Sequence, residues 1–252
     1  MKKLLAVLLC VIMLFTFAGC KRGTDLEEVM DAGKIVIGIT DYEPLNYKVD
    51  GEWTGFDTEL ARLFAKKLGV KAEFVEIDWK DKYDLLDEYE IDCVWNGMTV
   101  IYEYQVNHTM SNPYIYCGQI LVMQADVVDN YENGYDVRKL KFAVEEGSAA
   151  DACMFREGYE NVTKTLTQYD ALDAVASGKA DCAVVDNILA TRLVGKGKKY
   201  ENLSLGFDYS SETVAVGFRK DSDLAEKVNE FFEEIRDTEL IDLANKYGLT
   251  LC

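Results

Sequence analysis

An aspartate closes the apolar run A-D-C-A-V-V-D at residues 180–186. A carboxylate ending an apolar run must be satisfied by some partner, which makes Asp186 the first candidate for a binding residue. The competing role for Asp186 is to cap a helix over 187–195. Trp79 follows an apolar strand and offers a ring face on which a cation can stack; its alternative is plain packing. Other residue types exclude more than they suggest. The sequence has no G-x-S-x-G segment, and its single histidine, His108, sits in a polar loop and reads as surface. Cys93, Cys117, Cys153, Cys182 and Cys252 show no C-x-x-C spacing, so neither a metal site nor a cofactor is expected. Cys93 and Cys182 lie inside apolar runs and read as buried free thiols.

These residues are carried by alternating elements. KIVIGI (34–39) reads as a strand, and Asp57 as the cap of a helix with Leu60, Leu63, Phe64 and Leu68 at helical spacing, stopped by Gly69. A strand at 71–77, a helix around 83–89 and a strand at 91–95 follow. The second half repeats the order, with strands at 141–144, 161–166 and 181–185 and helices from Ser148 and over 171–177. A strand at 213–218 and helices at 222–235 and 238–247 complete the chain. Such an order predicts mostly parallel sheets with covered faces. One echo links the halves: LLDEYEIDCVWN (85–96) and LDAVASGKADCAVVDN (172–187) both run from a helix through a turn into Asp-Cys and an apolar strand. Ligands of open α/β sheets bind beyond the carboxyl ends of strands. Asn96, Gly97, Met98 and Thr99 on one side, and Asp186 and Asn187 on the other, are thus candidates for facing walls of one site. A chance likeness of two α/β units is the alternative.

The chain has 252 residues, 49% of them hydrophobic, which suffices for two cores. Its formal charge of −18 argues against nucleic acid and against anionic lipid heads, and permits a cationic ligand. Lys2 and Lys3 precede an apolar stretch over 4–18 and then F-A-G-C, the pattern of an export signal over residues 1–19. The apolar stretch is shorter than the ~20 residues a bilayer requires. Its end on Cys20 resembles the lipobox of bacterial lipoproteins, which implies lipidation of Cys20 and a place on the cell membrane, lipid-anchored and facing outside the cytoplasm.

G-E-W-T-G-F-D (51–57), A-x-x-L-G-V-K (65–71), N-G-M-T (96–99), S-N-P-Y (111–114) and A-D-C-A-V-V-D (180–186) together resemble the family-3 extracellular solute-binding proteins, the polar amino acid receptors of bacterial ABC importers. The resemblance spans about residues 33–250. It implies an α/β, two-lobed fold of the periplasmic-binding-protein type II with two hinge strands, near Gln119–Asp126 and Leu205–Val216. Lobe one is then 25–122 plus 213–252, and lobe two 127–208. It further implies a monomer that captures a small solute and hands it to a membrane permease. By this resemblance Asp186 takes the α-ammonium of an amino acid, Tyr42 and Trp79 stack on its side chain, and Ser148 and Ala149 stand at the lobe-two turn that receives the carboxylate. Thr99 matches the threonine of the family's T-x-x-x-x-R arrangement, but Tyr104 occupies the position of its carboxylate-binding arginine. The second hydroxyl of the lobe-two turn is likewise replaced by Ala149.

A guanidinium gives a carboxylate two charge-assisted bonds, whereas a phenol gives one neutral bond. The expected ligand is therefore dominated by an ammonium or other cationic group, or is an amino acid whose carboxylate is bound differently. Asp41, Glu43, Glu145 and Glu146 fall near the expected cleft mouth, where they either favour a cation or are simply solvated. Tyr114 and Tyr116 are expected to pack beneath the cleft. The leading function is a non-catalytic receptor of an ABC importer. The alternatives are a cyclohexadienyl-dehydratase-like enzyme, in which Glu145 or Asp186 acts as general acid, and an orphan ligand sensor.

Overall fold

A computed structural model describes residues 23–252 apart from 132, 134 and 135. The expected signal over 1–19 and its Cys20 lie outside the described residues. Helix α1 (Asp25–Ala32) opens on a capping box between Thr24 and Glu27. It leads into β1 (Lys34–Ile39), the hairpin β2 (Tyr47–Val49) and β3 (Glu52–Thr54), helix α2 (Phe56–Leu68) and strand β4 (Lys71–Glu76). A short 3₁₀ turn at Trp79–Asp81 precedes helix α3 (Lys82–Asp87), then β5 (Cys93–Thr99), α4 (Tyr102–Asn107), β6 (Thr109–Met110) and β7 (Ile115–Cys117).

The chain next enters a second sheet through β8 (Gln119–Gln124), followed by β9 (Phe142–Glu145), α5 (Ala149–Arg156), β10 (Val162–Thr165), α6 (Gln168–Ala176), β11 (Cys182–Asp186), α7 (Asn187–Leu193) and β12 (Leu203–Asp208). It returns through β13 (Glu212–Phe218) and ends with α8 (Leu224–Ile235) and α9 (Ile241–Tyr247). The first sheet has the order β4-β1-β5-β13-β6, with β7 also on β13; the second has the order β10-β9-β11-β8-β12. Neither is mostly parallel, as the alternating pattern suggested. The strands adjoining the crossings, β8, β12 and β13, pair antiparallel, because they enter or leave a lobe against the direction of its βαβ units.

The two crossings lie side by side. Tyr209 N donates to Gln119 O (2.7 Å), Gln119 N donates to Ser210 Oγ (3.1 Å), and a Cβ on Gly118 would stand 2.2 Å from Ser210 O. The lobe boundary expected at residue 122 falls inside β8, which pairs along its length with β11. Residues 119–122 therefore belong to the second sheet, and the crossings sit at 118 and 209–211.

Asp57 does not cap α2. The cap position is Gly55, at φ +119°, where a Cβ would meet Leu45 O at 2.3 Å. The Asp57 side chain turns inward instead. Among the described residues no helix is long and apolar enough to cross a membrane. Cys93 and Cys182 are buried free thiols, as are Cys117 and Cys153, while Cys252 is free and exposed.

Candidate functional site

Strands β5 and β11 end on opposite sides of a cavity between the lobes. It is lined by Thr40, Tyr42, Trp79, Asn96, Gly97, Thr99 and Tyr104 from the first lobe and by Glu145, Ser148, Ala149, Gln168 and Asp186 from the second. Its volume is about 20 Å³, room for roughly one water. Entry of anything larger than a water therefore requires the lobes to part or side chains to yield.

The β11 side is built around Asp186. Antiparallel pairing sets Asp186 opposite Gln119, and cross-strand neighbours project to the same face. Gln119 Nε2 donates to Asp186 Oδ1 (2.6 Å), and Gln168 Nε2 donates to Oδ2 (2.8 Å) while its Oε1 accepts from Asp186 N (2.8 Å). Asp186 occupies the cap position of α7 but makes no side-chain cap bond, so its carboxylate serves the cavity and not the helix. Burial pushes its carboxyl up to about 6, with the two glutamine amides pulling down. Tyr42 Oη is buried beside this carboxylate, near enough to help hold its charge, but makes no hydrogen bond of full geometry. An orphaned hydroxyl next to a buried carboxylate marks a place for a polar guest. Glu145, only 6% exposed, is no solvated mouth residue: burial, with Asp186 adding repulsion, raises its carboxyl to about 8. Asp41 is exposed, and Asp41, Glu43 and Glu146 do not line the cavity.

The β5 side is built differently. Asn96 spends its amide on the protein: Oδ1 accepts from Thr40 N and Asn46 Nδ2 (both 2.8 Å), and Nδ2 donates to Thr40 Oγ1 (2.7 Å). Gly97 holds φ +58°, and its N–H donates to Asp57 Oδ2 (2.8 Å), whose other oxygen accepts from Tyr114 Oη (2.8 Å). Burial raises Asp57 to about 7 against those two bonds. Asp57 thus fixes the turn that presents Asn96, Gly97 and Thr99. Met98 does not reach the cavity; it shares the face of Val94 on β5, away from Gly97 and Thr99, and is fully buried there.

Tyr104, at the position expected for arginine, donates from Oη to Gly147 O (3.0 Å). Ser148 caps α5 by accepting from Asp151 N (3.1 Å), and Ala149 follows it along the wall. Lys82, which the sequence reading passed over, reaches the same carbonyl: Nζ donates to Gly147 O (2.8 Å) and to Trp79 O (3.1 Å). The signal for it was local. Lys82 shares the buried stripe of α3 with Leu86, and a lysine on an apolar stripe needs a reason. Gln168 and Gln119 left no such signal, because their reach depends on strand register and helix placement.

Several expectations move elsewhere. His108 is not at the surface: its side chain is 8% exposed, its ring lies tilted against that of Tyr83 at 4.2 Å, and Nε2 lies 3.6 Å from Asp87. Tyr114 packs beneath the site, but Tyr116 is half exposed. Asn187 faces a separate groove of about 730 Å³ on the hinge side, which none of the cavity residues line. Cys117, Asp186 and Glu212 approach one another within 4.8 Å, but the Gln119 amide bridges the two carboxylates.

This arrangement has many counterparts. The chain is 28% identical to the arginine-binding extracellular protein ArtP of Bacillus subtilis over 98% of each chain. A mutant of ArgBP from T. maritima superposes with a TM-score of 0.82 at 26% identity, covering 89% of this chain and 99% of that one. The ancestral amino acid-binding protein AncCDT-1, described as a precursor of cyclohexadienyl dehydratase, superposes with a TM-score of 0.79 at 27% identity, covering 88% and 98%. The two lobes, their paired crossings and the cavity between strand ends are the two-lobed periplasmic-binding fold of type II. The profile of the bacterial extracellular solute-binding proteins, family 3, matches residues 35–250, and the chain belongs to that family.

Proposed function

We propose that this chain is the extracytoplasmic substrate-binding lipoprotein of an ABC importer, monomeric and anchored through Cys20, which captures a small amino-acid-like or cationic amine solute between its lobes and delivers it to the permease. The observation that carries this reading is the buried Asp186 carboxylate, braced by two glutamine amides and facing the cavity beside the unpaired Tyr42 hydroxyl. An ammonium supplies the charge that Asp186 lacks and a proton for Tyr42 Oη to accept. Tyr42, Trp79, Thr99, Tyr104, Ser148, Ala149 and Asp186 form the contact set, and Asn96 and Gly97 hold its shape. Guest contacts to both lobes favour the closed arrangement by their differential affinity.

A thermal-shift screen of amines, cationic amino acids and ordinary amino acids tests this reading. A ligand at a hundred times its Kd stabilises by ~2.7 kcal/mol, and a screen without a single responder sinks it. The raised Glu145 carboxyl is the one feature that suits a dehydratase, which requires a protonated acid. Turnover of prephenate or arogenate by the purified protein would establish that second reading. Adjacent permease and ATPase genes favour the importer over the orphan sensor.

A further inference from the structure

Lys82 is the buried charge that the site as described does not use. Its side chain is 1% exposed, and its ammonium lies over the rings of Trp79 (4.5 Å), Tyr83 (4.6 Å) and Tyr104 (5.4 Å). Two of its three protons go to the carbonyls of Gly147 and Trp79. Among the described residues it forms no direct ion pair; Glu145 and Asp151 act on it only through their fields. Carbonyl dipoles and ring faces help to hold a cation, but a buried charge ordinarily has a counter-ion. Burial brings the ammonium down to about 8, with Glu145 opposing, so it is protonated at neutral pH.

Its location gives that charge a use. Trp79 and Tyr104, whose rings flank Nζ, both line the cavity, and Gly147 immediately precedes Ser148 and Ala149 on the facing wall. The ammonium stands against Tyr104, the position at which the family resemblance expects an arginine for the ligand's carboxylate. We infer that Lys82 supplies the cation for the acid group of the guest, so that this site takes a zwitterionic amino acid held at both ends and not a bare amine. The third Nζ proton meets the carboxylate as the lobes close, while Asp186 holds the ammonium. The inference rests on the reading of this cavity as the capture site. It changes the ligand class that the missing arginine suggested, because the cation has moved from position 104 to position 82 rather than vanished.

Matched pairs that differ only in the carboxylate decide the matter: arginine and agmatine, histidine and histamine, lysine and cadaverine, each titrated calorimetrically. The wild-type protein is expected to bind at least one amino acid about ten- to a hundredfold more tightly than its amine, the value of a charge-assisted bond. Lys82→Met should bring that pair to within about threefold, and Lys82→Met with Tyr104→Arg should restore the preference by returning the cation to its other position. Lys82→Gln, which still donates to the Gly147 carbonyl, repeats the test where methionine is not tolerated, and melting curves verify that each variant folds. A wild-type protein that binds the amines as tightly as the amino acids overturns the assignment, as does a neutral residue at 82 that keeps the preference. Either result leaves capture at this cavity standing. Failure of all six compounds to bind instead overturns the capture of amines and amino acids, and the role of Lys82 with it.

Discussion

Strands β5 and β11 begin alike and end differently. In the first lobe Asp92 Oδ2 accepts from Val36 N (2.8 Å), and in the second Asp181 Oδ2 accepts from Lys141 N (2.8 Å); each aspartate ties the start of its strand to the neighbouring one. Each is followed by a fully buried cysteine. At the far ends the likeness stops. Asn96 is consumed by Thr40 and Asn46, whereas Asp186 is braced by glutamines and left facing the cavity. The same strand plan thus carries a polar group spent on the fold on one side and, on the other, a carboxylate that lines the cavity. The difference lies in whether the protein supplies all the partners.

That contrast predicts opposite phenotypes. Asp186→Asn removes the charge that pairs with an ammonium, and loss of one partner of a buried pair costs about 3 kcal/mol, roughly a hundredfold in affinity. Measured without ligand, its melting temperature should hold, because burial already disfavours the charge. Calorimetry showing wild-type affinity for any responder in this variant removes Asp186 as the anchor. Asn96→Ala should do the reverse. It strands Thr40 N and one of the two Asn46 Nδ2 protons, the other staying on Trp95 O, and so costs roughly 2–3 kcal/mol of stability. The melting temperature should drop by about 5–10 °C, while affinity moves less than tenfold. Intact stability in this variant would mean that the two strand ends are not divided as described.

The strand ends were legible because period and punctuation announce them: apolar KIVIGI became β1 at its expected bounds, and the polar residue closing A-V-V marked Asp186. The resemblance located Tyr42, Trp79 and Tyr104. What escaped was side-chain direction. Met98 sits among cavity residues in sequence, but it alternates with Gly97 and Thr99 and packs with Val94 on the other face of β5. Glu145 and Glu146 are adjacent and alike in composition, yet β9 buries the first and leaves the second half exposed. Lys82 comes from α3, and its contact with Gly147 spans the lobes, a relation that no local pattern encodes.

The carboxyls also make the comparison depend on pH. In the unfolded chain they titrate near 4, whereas in the fold burial lifts Asp186 to about 6, Asp57 to about 7 and Glu145 to about 8. A raised carboxyl holds its proton in the folded state longer than in the unfolded one. The stabilisation is therefore full below about pH 4 and is lost as pH rises through the folded values. Melting curves without ligand should fall by on the order of 5 °C between pH 5 and pH 8. Saturation with a cationic guest should flatten the slope, since an ammonium at Asp186 keeps that carboxylate ionised. A melting temperature that rises across this range contradicts the dominance of burial over the hydrogen bonds at these acids.

The smallest effect is the most selective. Tyr42→Phe deletes a buried hydroxyl that makes no hydrogen bond of full geometry, so the folded protein loses only a weak contact with Asp186 and the melting temperature without ligand should stay level. In the complex the same oxygen stands beside Asp186, where it can accept a second proton of the guest's ammonium. A neutral acceptor toward a charged donor contributes about 1.5 kcal/mol, so affinity should fall roughly tenfold. Because this substitution keeps the ring, the stacking surface is retained and the loss reports the oxygen alone. An unchanged titration in this variant would confine recognition of the positive end to Asp186 and make the first lobe's part in it one of shape only.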